Sequence, residues 1–354
     1  MSYEQIHFEE ITEQKYQQFL IRALHDTFYN STARFEFLKS QDRHVAFFKI
    51  TKGDEPIGIV HYQIIPAKSG KLLYFQHTPL LFDISSNNAI IELFEALKVF
   101  TKKELQRHKV SFARFTSRIE SNPDLMDKIY RLGYIRAPIQ EIDASITRLV
   151  NIPQFDLTSI RKTTRNCISQ GIKAGLQTLV EENPTNFASF LTYYTDMEKM
   201  KGFTTLPAKY ITKELEIYSK NNMLLQFKTI HNDKILSVSE VVIRLNKAYY
   251  YHAATSVEGK NMNSSHVNLF HVIEELKKRN IEVLDLWGGV VSQKISDSNI
   301  HHPWRSLDVF KKGFTHTLIE YIPPLDLPFS WVSYFIPYVY QYIRTKRKGY
   351  PIMP

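Results

Sequence analysis

Two short runs hold residue types from which a reactive site can be built. Asp285-Leu286-Trp287-Gly288-Gly289 has the pattern of a buried strand ending in two glycines, which lets the chain turn sharply. It is either a plain strand-end turn or the wall of a substrate cleft, with Trp287 lining it. Downstream comes Phe310-Lys311-Lys312-Gly313-Phe314, a lysine pair between aromatic residues. A third segment, 158–175, carries Arg161, Lys162, Arg165 and Lys173 on a predicted helix stopped by Gly175. A basic helix of this kind suits contact with nucleic-acid phosphates, and a solvated basic face is the bland alternative. The histidines are scattered. His301-His302 are neighbours, and neighbours do not share a helix face. No H-x-x-x-H run or Cys/His cluster suggests a metal. His252 reads as a strand residue lining or flanking a cleft rather than as a general base. The one cysteine, Cys167, excludes a disulfide framework and reads as structural.

The chain has 354 residues, of which 43% are hydrophobic. Single cores stop growing near roughly 250–300 residues, so two domains are expected. Charged residues make up 23% with no long like-charge block, so disorder is expected only at the ends. The N-terminus is polar and acidic, without a basic segment leading into an apolar one, so no signal peptide is expected. No run of about 18 or more apolar residues marks a membrane span. The expectation is a cytoplasmic protein. A net charge of +9 and a pI near 9.2 attract anions: nucleic acid, nucleotide-linked substrates or acidic lipid headgroups. Ordinary solubility charge is the alternative.

Apolar residues recur at helical spacing from Glu13 to Tyr29. His44–Ile50 and Ile57–Ile65 then flank a turn at Lys52-Gly53-Asp54-Glu55-Pro56, which reads as a hairpin. A short strand at Leu72–Gln76 precedes a long helix over 86–107 with Ser86 as its N-cap. The strand Val110–Phe115, a helix over Pro123–Leu132 and the strand Ala144–Leu149 close a first unit. After the basic helix, two more helices are predicted near 185–201 and 207–220. The strands Met223–Ile230, Ile235–Leu245 and Ala248–Ala253, a helix over Ser264–Arg279, and the strands Val283–Trp287 and Thr315–Tyr321 follow.

The same order thus occurs twice, which signals a duplication. Helices, an antiparallel meander, a central helix and a closing strand make up one GNAT-like unit. The predicted fold class is α/β (α+β): two tandem GNAT-like domains, each a mixed, mostly antiparallel sheet flanked by helices. The predicted boundaries are 1–150 and 151–330, with a C-terminal helix and basic tail over 331–354. In an acetyl-CoA-dependent GNAT enzyme a glycine-rich turn before the central helix holds the pyrophosphate. Here that place holds Val257-Glu258-Gly259-Lys260-Asn261-Met262-Asn263-Ser264-Ser265, with a single glycine. That counts against CoA.

Asp285-Leu286-Trp287-Gly288-Gly289, then Phe310-Lys311-Lys312-Gly313-Phe314, then Glu320-Tyr321-Ile322-Pro323 together resemble the Fem family, which forms peptidoglycan cross-bridges. That family has a strand ending in D-F/L-G-G, an F-K-x-x-F segment and an aromatic-Ile-Gly/Pro turn. The segment Arg161–Gly175 looks like its R-x-x-I-R-x-A-x-x-x-G signature. Lys199–Phe203, Tyr74–Asp83 and Tyr334–Arg347 match further segments, so the resemblance covers nearly the whole chain.

The resemblance implies transfer of an amino acid from aminoacyl-tRNA to an amine of a peptidoglycan precursor, nucleotide- or lipid-linked. Aminoacyl-tRNA would be a co-substrate, with no cofactor and no metal. By it, Lys311 faces the reacting ester and Phe310 packs beneath it. A fixed ammonium can stabilise the developing oxyanion; the bland reading is one more surface lysine. The precursor-binding residues carry over in part, to Lys39, Tyr210, Tyr250 and His252, with Trp287 on the cleft wall. Leu206 and Thr116 stand where the family has an arginine and an acid. An acyl-CoA-dependent N-acyltransferase on the same fold is one alternative. A non-catalytic tandem domain that binds tRNA or a membrane is the other. The aromatic stretch Trp331–Ile343 with its basic tail is expected to pack on its domain as a helix, and peripheral contact with the inner membrane face is the competing reading.

Overall fold

The computed structural model describes residues 5–67, 70–83, 86–139, 143–201, 206–290 and 304–348. The chain divides into two compact units. Unit 1 comprises Met1–Ile146, Gln293–Pro303 and Glu320–Pro354, and unit 2 comprises Thr147–Ser292 and Trp304–Ile319. Each is built on its own mixed sheet, as the repeated element order predicts.

Unit 1 holds β1 (Ile6–Ile11), β2 (Val45–Lys52), β3 (Glu55–Ala67), β4 (Gly70–Phe75), β6 (Phe112–Phe115), β15 (Leu325–Pro328) and β7 (Ile135–Arg136) in that spatial order, with the short β5 (Leu80–Leu81) on β3. Its helices among the described residues are α1 (Glu13–Leu20), α2 (Thr32–Ser40), α3 (Asn87–His108), α4 (Pro123–Arg131) and α11 (Trp331–Arg347). α3 is the central helix. Ser86 caps it by accepting a hydrogen bond from Ala89 N, and Ile90, Leu93, Phe94 and Leu97 recur at helical spacing on the face that meets Phe48, Phe75 and Phe115. The helix expected as far as Tyr29 ends at Leu20. Further on, Asn30 Oδ1 accepts from Thr27 N and holds Phe28–Asn30 in a tight turn instead.

In unit 2 the spatial order is β14 (Leu318–Glu320), β8 (Ile146–Asn151), β13 (Val283–Asp285), β12 (Lys247–Thr255), β11 (Lys234–Arg244), β10 (Leu224–His231) and β9 (Gln177–Glu182). β12 and β13 run parallel. α5 (Lys162–Lys173) and α9 (Ser264–Lys278) pack together, and α9 covers one face of this sheet through Leu269, Val272 and Ile273 against Phe227, Val241 and Tyr250. α6 (Ala188–Lys201) and α7 (Ala208–Lys220) meet the other face. Two short helices, α8 (Val257–Asn261) and α10 (Arg305–Lys312), also belong to the unit.

The units do not end where the element order suggested. The strand expected to close the first unit is β8, and it sits in the second sheet beside β13, with Val150 and Ile152 in that unit's core. The chain beyond β14 returns to unit 1, so that β15 lies between β6 and β7. A buried ion pair fixes this return. Asp326 stands opposite Arg114 in register, and Arg114 Nε and Nη2 each donate to one of its oxygens at 2.7 Å. Tyr334 on α11 donates to the same carboxylate at 2.5 Å.

Candidate active site

Lys311 lies on α10 and is 3% exposed. Its Nζ donates to the carbonyls of Trp287 at 2.8 Å and Gly288 at 2.9 Å. Both carbonyls face it because the chain leaves β13 through two successive left-handed residues, Trp287 (φ 54°) and Gly288 (φ 102°). The second conformation is one that L side chains rarely adopt, so the glycine is needed for its φ. Polar side chains hold the turn. Asp285 Oδ1 accepts from Trp287 N at 2.8 Å and from Thr147 Oγ1 at 2.5 Å. Thr147 Oγ1 in turn accepts from Gly288 N at 3.2 Å. Asp308, on α10, accepts from Val290 N and forms a bidentate pair with the buried Arg148 at 2.8 and 3.0 Å. Burial pushes the Lys311 ammonium down to about 7, although Asp285 and Asp308 oppose that shift. Near neutral pH its charge therefore depends on its surroundings, and an anion beside it stabilises the protonated form.

Phe310, on the same helix, packs edge-on against His266 and Phe314 and contributes to the unit 2 core. The adjoining Gly313 lets α10 meet α5, since a Cβ there would lie 2.2 Å from Thr164 Oγ1. Gly313 O accepts from Arg161 N.

Next to this site β12 carries a bulge. Glu240 pairs with His252 and Val241 with Tyr250, which leaves Tyr251 as the extra residue. Without a bulge, Tyr250 and His252 would share a face. With it, Tyr250 points toward α9, its hydroxyl 3.5 Å from Asn268 Oδ1. Tyr251 and His252 both turn to the opposite face. Tyr251 donates to Glu214 on α7 at 3.0 Å, and its ring meets Trp287 at 5.8 Å. His252 packs against Phe190, Tyr194 and Tyr251. Burial lowers its pKa to about 4, so it is neutral at physiological pH. Tyr210 is half-buried on α7, one turn before Glu214 and on the same helix face. The structure thus links Trp287 and His252 through Tyr251, which sequence reasoning passed over, and sends Tyr250 to the other side of the sheet.

The remaining expected positions are less concentrated. Lys39 is exposed in the last turn of α2 in unit 1 and pairs with Glu13 at 2.5 Å. Arg161, Lys162 and Lys173 are exposed, whereas Arg165 donates to the carbonyls of Thr158 and Ile160 and so braces the entrance to α5. Thr116 has a carboxylate beside it after all: Asp143, from another segment, accepts from Thr116 at 3.4 Å, from Gln76 at 3.1 Å and from Tyr74. His301-His302 and the end of Lys199–Phe203 lie outside the described residues. Among the described residues no cluster of His, Cys, Asp or Glu is placed to hold a metal.

The 257–265 segment forms α8 and the start of α9. Gly259 packs on β11: a Cβ there would lie 2.5 Å from Leu236 O and 2.6 Å from Ser264 Oγ. Its one glycine is thus accounted for by close backbone packing. We expect Gly259→Ala to destabilise the protein by about 1–3 kcal/mol through overpacking, measured by urea unfolding.

Sequence reasoning also missed Arg148, Asp308, Gln226, Glu240 and Glu214. Glu240 left a trace, because it is the one acidic residue inside the otherwise apolar and small-residue run Ile235–Ile243. The others stand in unremarkable local sequence.

Two sheets of this kind in one chain, each with a central helix over an antiparallel meander, define a tandem GNAT-like protein. No family model and no curated protein matches the chain. Among solved structures it is similar to FemX, at 16% identity over 93% of this chain and 99% of that one, with a TM-score of 0.74. It is also similar to the C-terminal domain of a putative lysylphosphatidylglycerol synthetase from Agrobacterium fabrum (14% identity, 93% and 95% covered, TM-score 0.54). A third is a tandem GNAT protein from the clavulanic acid biosynthesis pathway (9% identity, 92% and 99% covered, TM-score 0.56). The likeness to the Fem family carried by the motifs holds at the level of the fold, over nearly the whole chain.

Proposed function

We propose that this protein is an aminoacyltransferase that moves an amino acid from aminoacyl-tRNA to an amine of a peptidoglycan precursor. The carrying observation is Lys311, a buried ammonium aimed by two backbone carbonyls on a strand-end turn. Two of its N–H groups are engaged, and the third has no partner among the described residues. In the proposed reaction the acceptor amine attacks the ester carbonyl. Negative charge then gathers on the carbonyl oxygen, where the third N–H of Lys311 receives it. Collapse of the tetrahedral intermediate forms the amide bond and breaks the ester bond. The ribose oxygen of the tRNA leaves and takes up a proton, and the amine loses one to the leaving oxygen or to solvent.

The packing role of Gly259 favours tRNA over CoA as acyl carrier, since a pyrophosphate needs close backbone approach there. The exposed Arg161, Lys162 and Lys173 suit the phosphates of such a carrier. The reading is tested by incubating the protein with radiolabelled aminoacyl-tRNA and purified nucleotide- and lipid-linked precursors. Label must pass to a precursor, and prior deacylation of the tRNA must prevent it. Acyl-CoA serving equally well as donor would overturn the choice of carrier.

α11 favours a lipid-linked acceptor. It packs on unit 1 through Tyr334 and Thr345, but Trp331, Val332, Phe335 and Ile336 on its outer side are all more than 60% exposed. The helix has no acidic residue, and Arg344, Lys346 and Arg347 fill its last turn. An apolar stripe with a basic end suits an anionic bilayer surface. No described helix is long and apolar enough to cross a membrane. Sedimentation with phosphatidylglycerol-rich vesicles, but not with phosphatidylcholine vesicles, is expected, and Val332→Ser with Phe335→Ser should abolish it.

A further inference from the structure

Gln226, Glu240 and His252 lie in one row across β10, β11 and β12, directly opposite one another in register. Residues so paired hold their Cβ atoms about 5 Å apart, so their polar ends share one small volume. The first two residues are buried, at 1% and 0% exposure. Gln226 Nε2 donates to Glu240 Oε1 at 2.6 Å. Gln226 Oε1, Glu240 Oε2 and His252 Nε2 are buried and have no hydrogen-bond partner among the described residues. Buried polar groups are nearly always paired, so three in one row need a reason. All three are atoms that can accept a hydrogen bond, and no described cation is paired with the carboxyl. Burial raises Glu240 to about 8, against the smaller opposing effects of the Gln226 hydrogen bond and the Lys228 charge. Aromatic rings wall the His252 end: Phe190, Tyr194 and Tyr251. Acceptor atoms backed by aromatic rings make a site for a nitrogen cation.

The row lies on the same face of the sheet as Tyr251, which touches Trp287, whose carbonyl orients Lys311. β11 and β13 are separated by β12, so Glu240 stands two strand spacings, about 10 Å, from the strand that leads to the Lys311 turn. In an ester held at Lys311 the α-nitrogen is only two bonds from the carbonyl carbon, too near to reach the row. A nitrogen at the end of a long side chain can reach it. We propose that Gln226, Glu240 and His252 recognise the side-chain ammonium of the transferred amino acid, which is therefore a basic diamino acid such as lysine or ornithine. This rests on the aminoacyl-transfer reading given above.

The test compares tRNA acylated with lysine and with norleucine, which has a similar chain but no side-chain ammonium. Wild-type kcat/KM is expected to favour the lysyl donor by at least about 100-fold. Glu240→Gln should bring that preference below about tenfold, through a fall in use of the lysyl donor. Equal use of both donors by the wild type, or an unchanged preference in Glu240→Gln, would overturn the proposal while leaving transfer itself established. The wild-type comparison stands even if the variant does not fold. Binding provides a readout independent of transfer. Lysine amide should raise the melting temperature of the wild type, and norleucine amide should not. If no aminoacyl-tRNA is a donor, the transfer reading fails, and equal effects of the two amides would sink this site as well.

Discussion

Replacing Lys311 with methionine is expected to lower kcat for aminoacyl transfer by roughly 100- to 1,000-fold, with KM for the tRNA donor little changed. Methionine keeps most of the buried chain volume and removes only the charge and its N–H groups. The loss matches that of removing one preorganised donor from the place where an oxyanion forms. An effect on kcat and not on KM separates a group acting in the transition state from one that merely binds substrate. Lys311→Arg should not restore full activity. The guanidinium keeps the charge, but its planar fork does not fit between the carbonyls of Trp287 and Gly288 as a tetrahedral ammonium does.

The same residue leaves a signature in stability. Its pKa falls from the ordinary 10.5 to about 7 in the folded protein because it is buried. Between those values the unfolded chain binds more protons than the native one, so unfolding free energy rises with pH from about 7 to about 10.5. Lys311→Met should flatten that rise in urea melts recorded across the range. An identical slope in the variant would mean that Lys311 is not buried as described.

Asp326→Ala is expected to destabilise the protein by about 3–5 kcal/mol. The substitution leaves Arg114 buried without its counter-ion, and it also removes the acceptor for Tyr334. Gln341 would remain as one neutral partner for the guanidinium, at 2.6 Å. Replacing both charges, with Arg114→Met and Asp326→Leu, should recover much of the loss, because the main penalty is an unpaired charge rather than a missing bond. Equal destabilisation by the single and double variants would mean that this pair does not anchor the returning strand.

The strands and helices of the two meanders were legible because their apolar periodicity is strong. The hairpin of β2 and β3, α3 behind Ser86, and β10 to β12 all follow from pattern and turn residues. The path of the chain was not. β15 is four residues long and ends in a proline, so nothing local distinguishes it from a loop; its place comes from Asp326 meeting Arg114 over more than two hundred residues of sequence. β1 and β9 were missed because each carries charged or polar residues on its exposed side.

At the candidate site the motifs located Lys311 and its turn, because two adjacent glycines after a strand leave a sequence signal. Strict alternation along β12 would set Tyr250 and His252 on one face, and the bulge at Tyr251 separates them. A one-residue bulge has no mark in a run of three tyrosines. Arg148 and Asp308 were invisible because each matters only through the other, 160 positions away.

The most direct test of the Lys311-centred account is single-turnover transfer from lysyl-tRNA to a purified lipid-linked precursor, with product identified by mass, in the wild type and Lys311→Met side by side. The account predicts a precursor heavier by one lysyl residue, formed rapidly by the wild type and at least about 100-fold more slowly by the variant. Equal rates for the two proteins would contradict it.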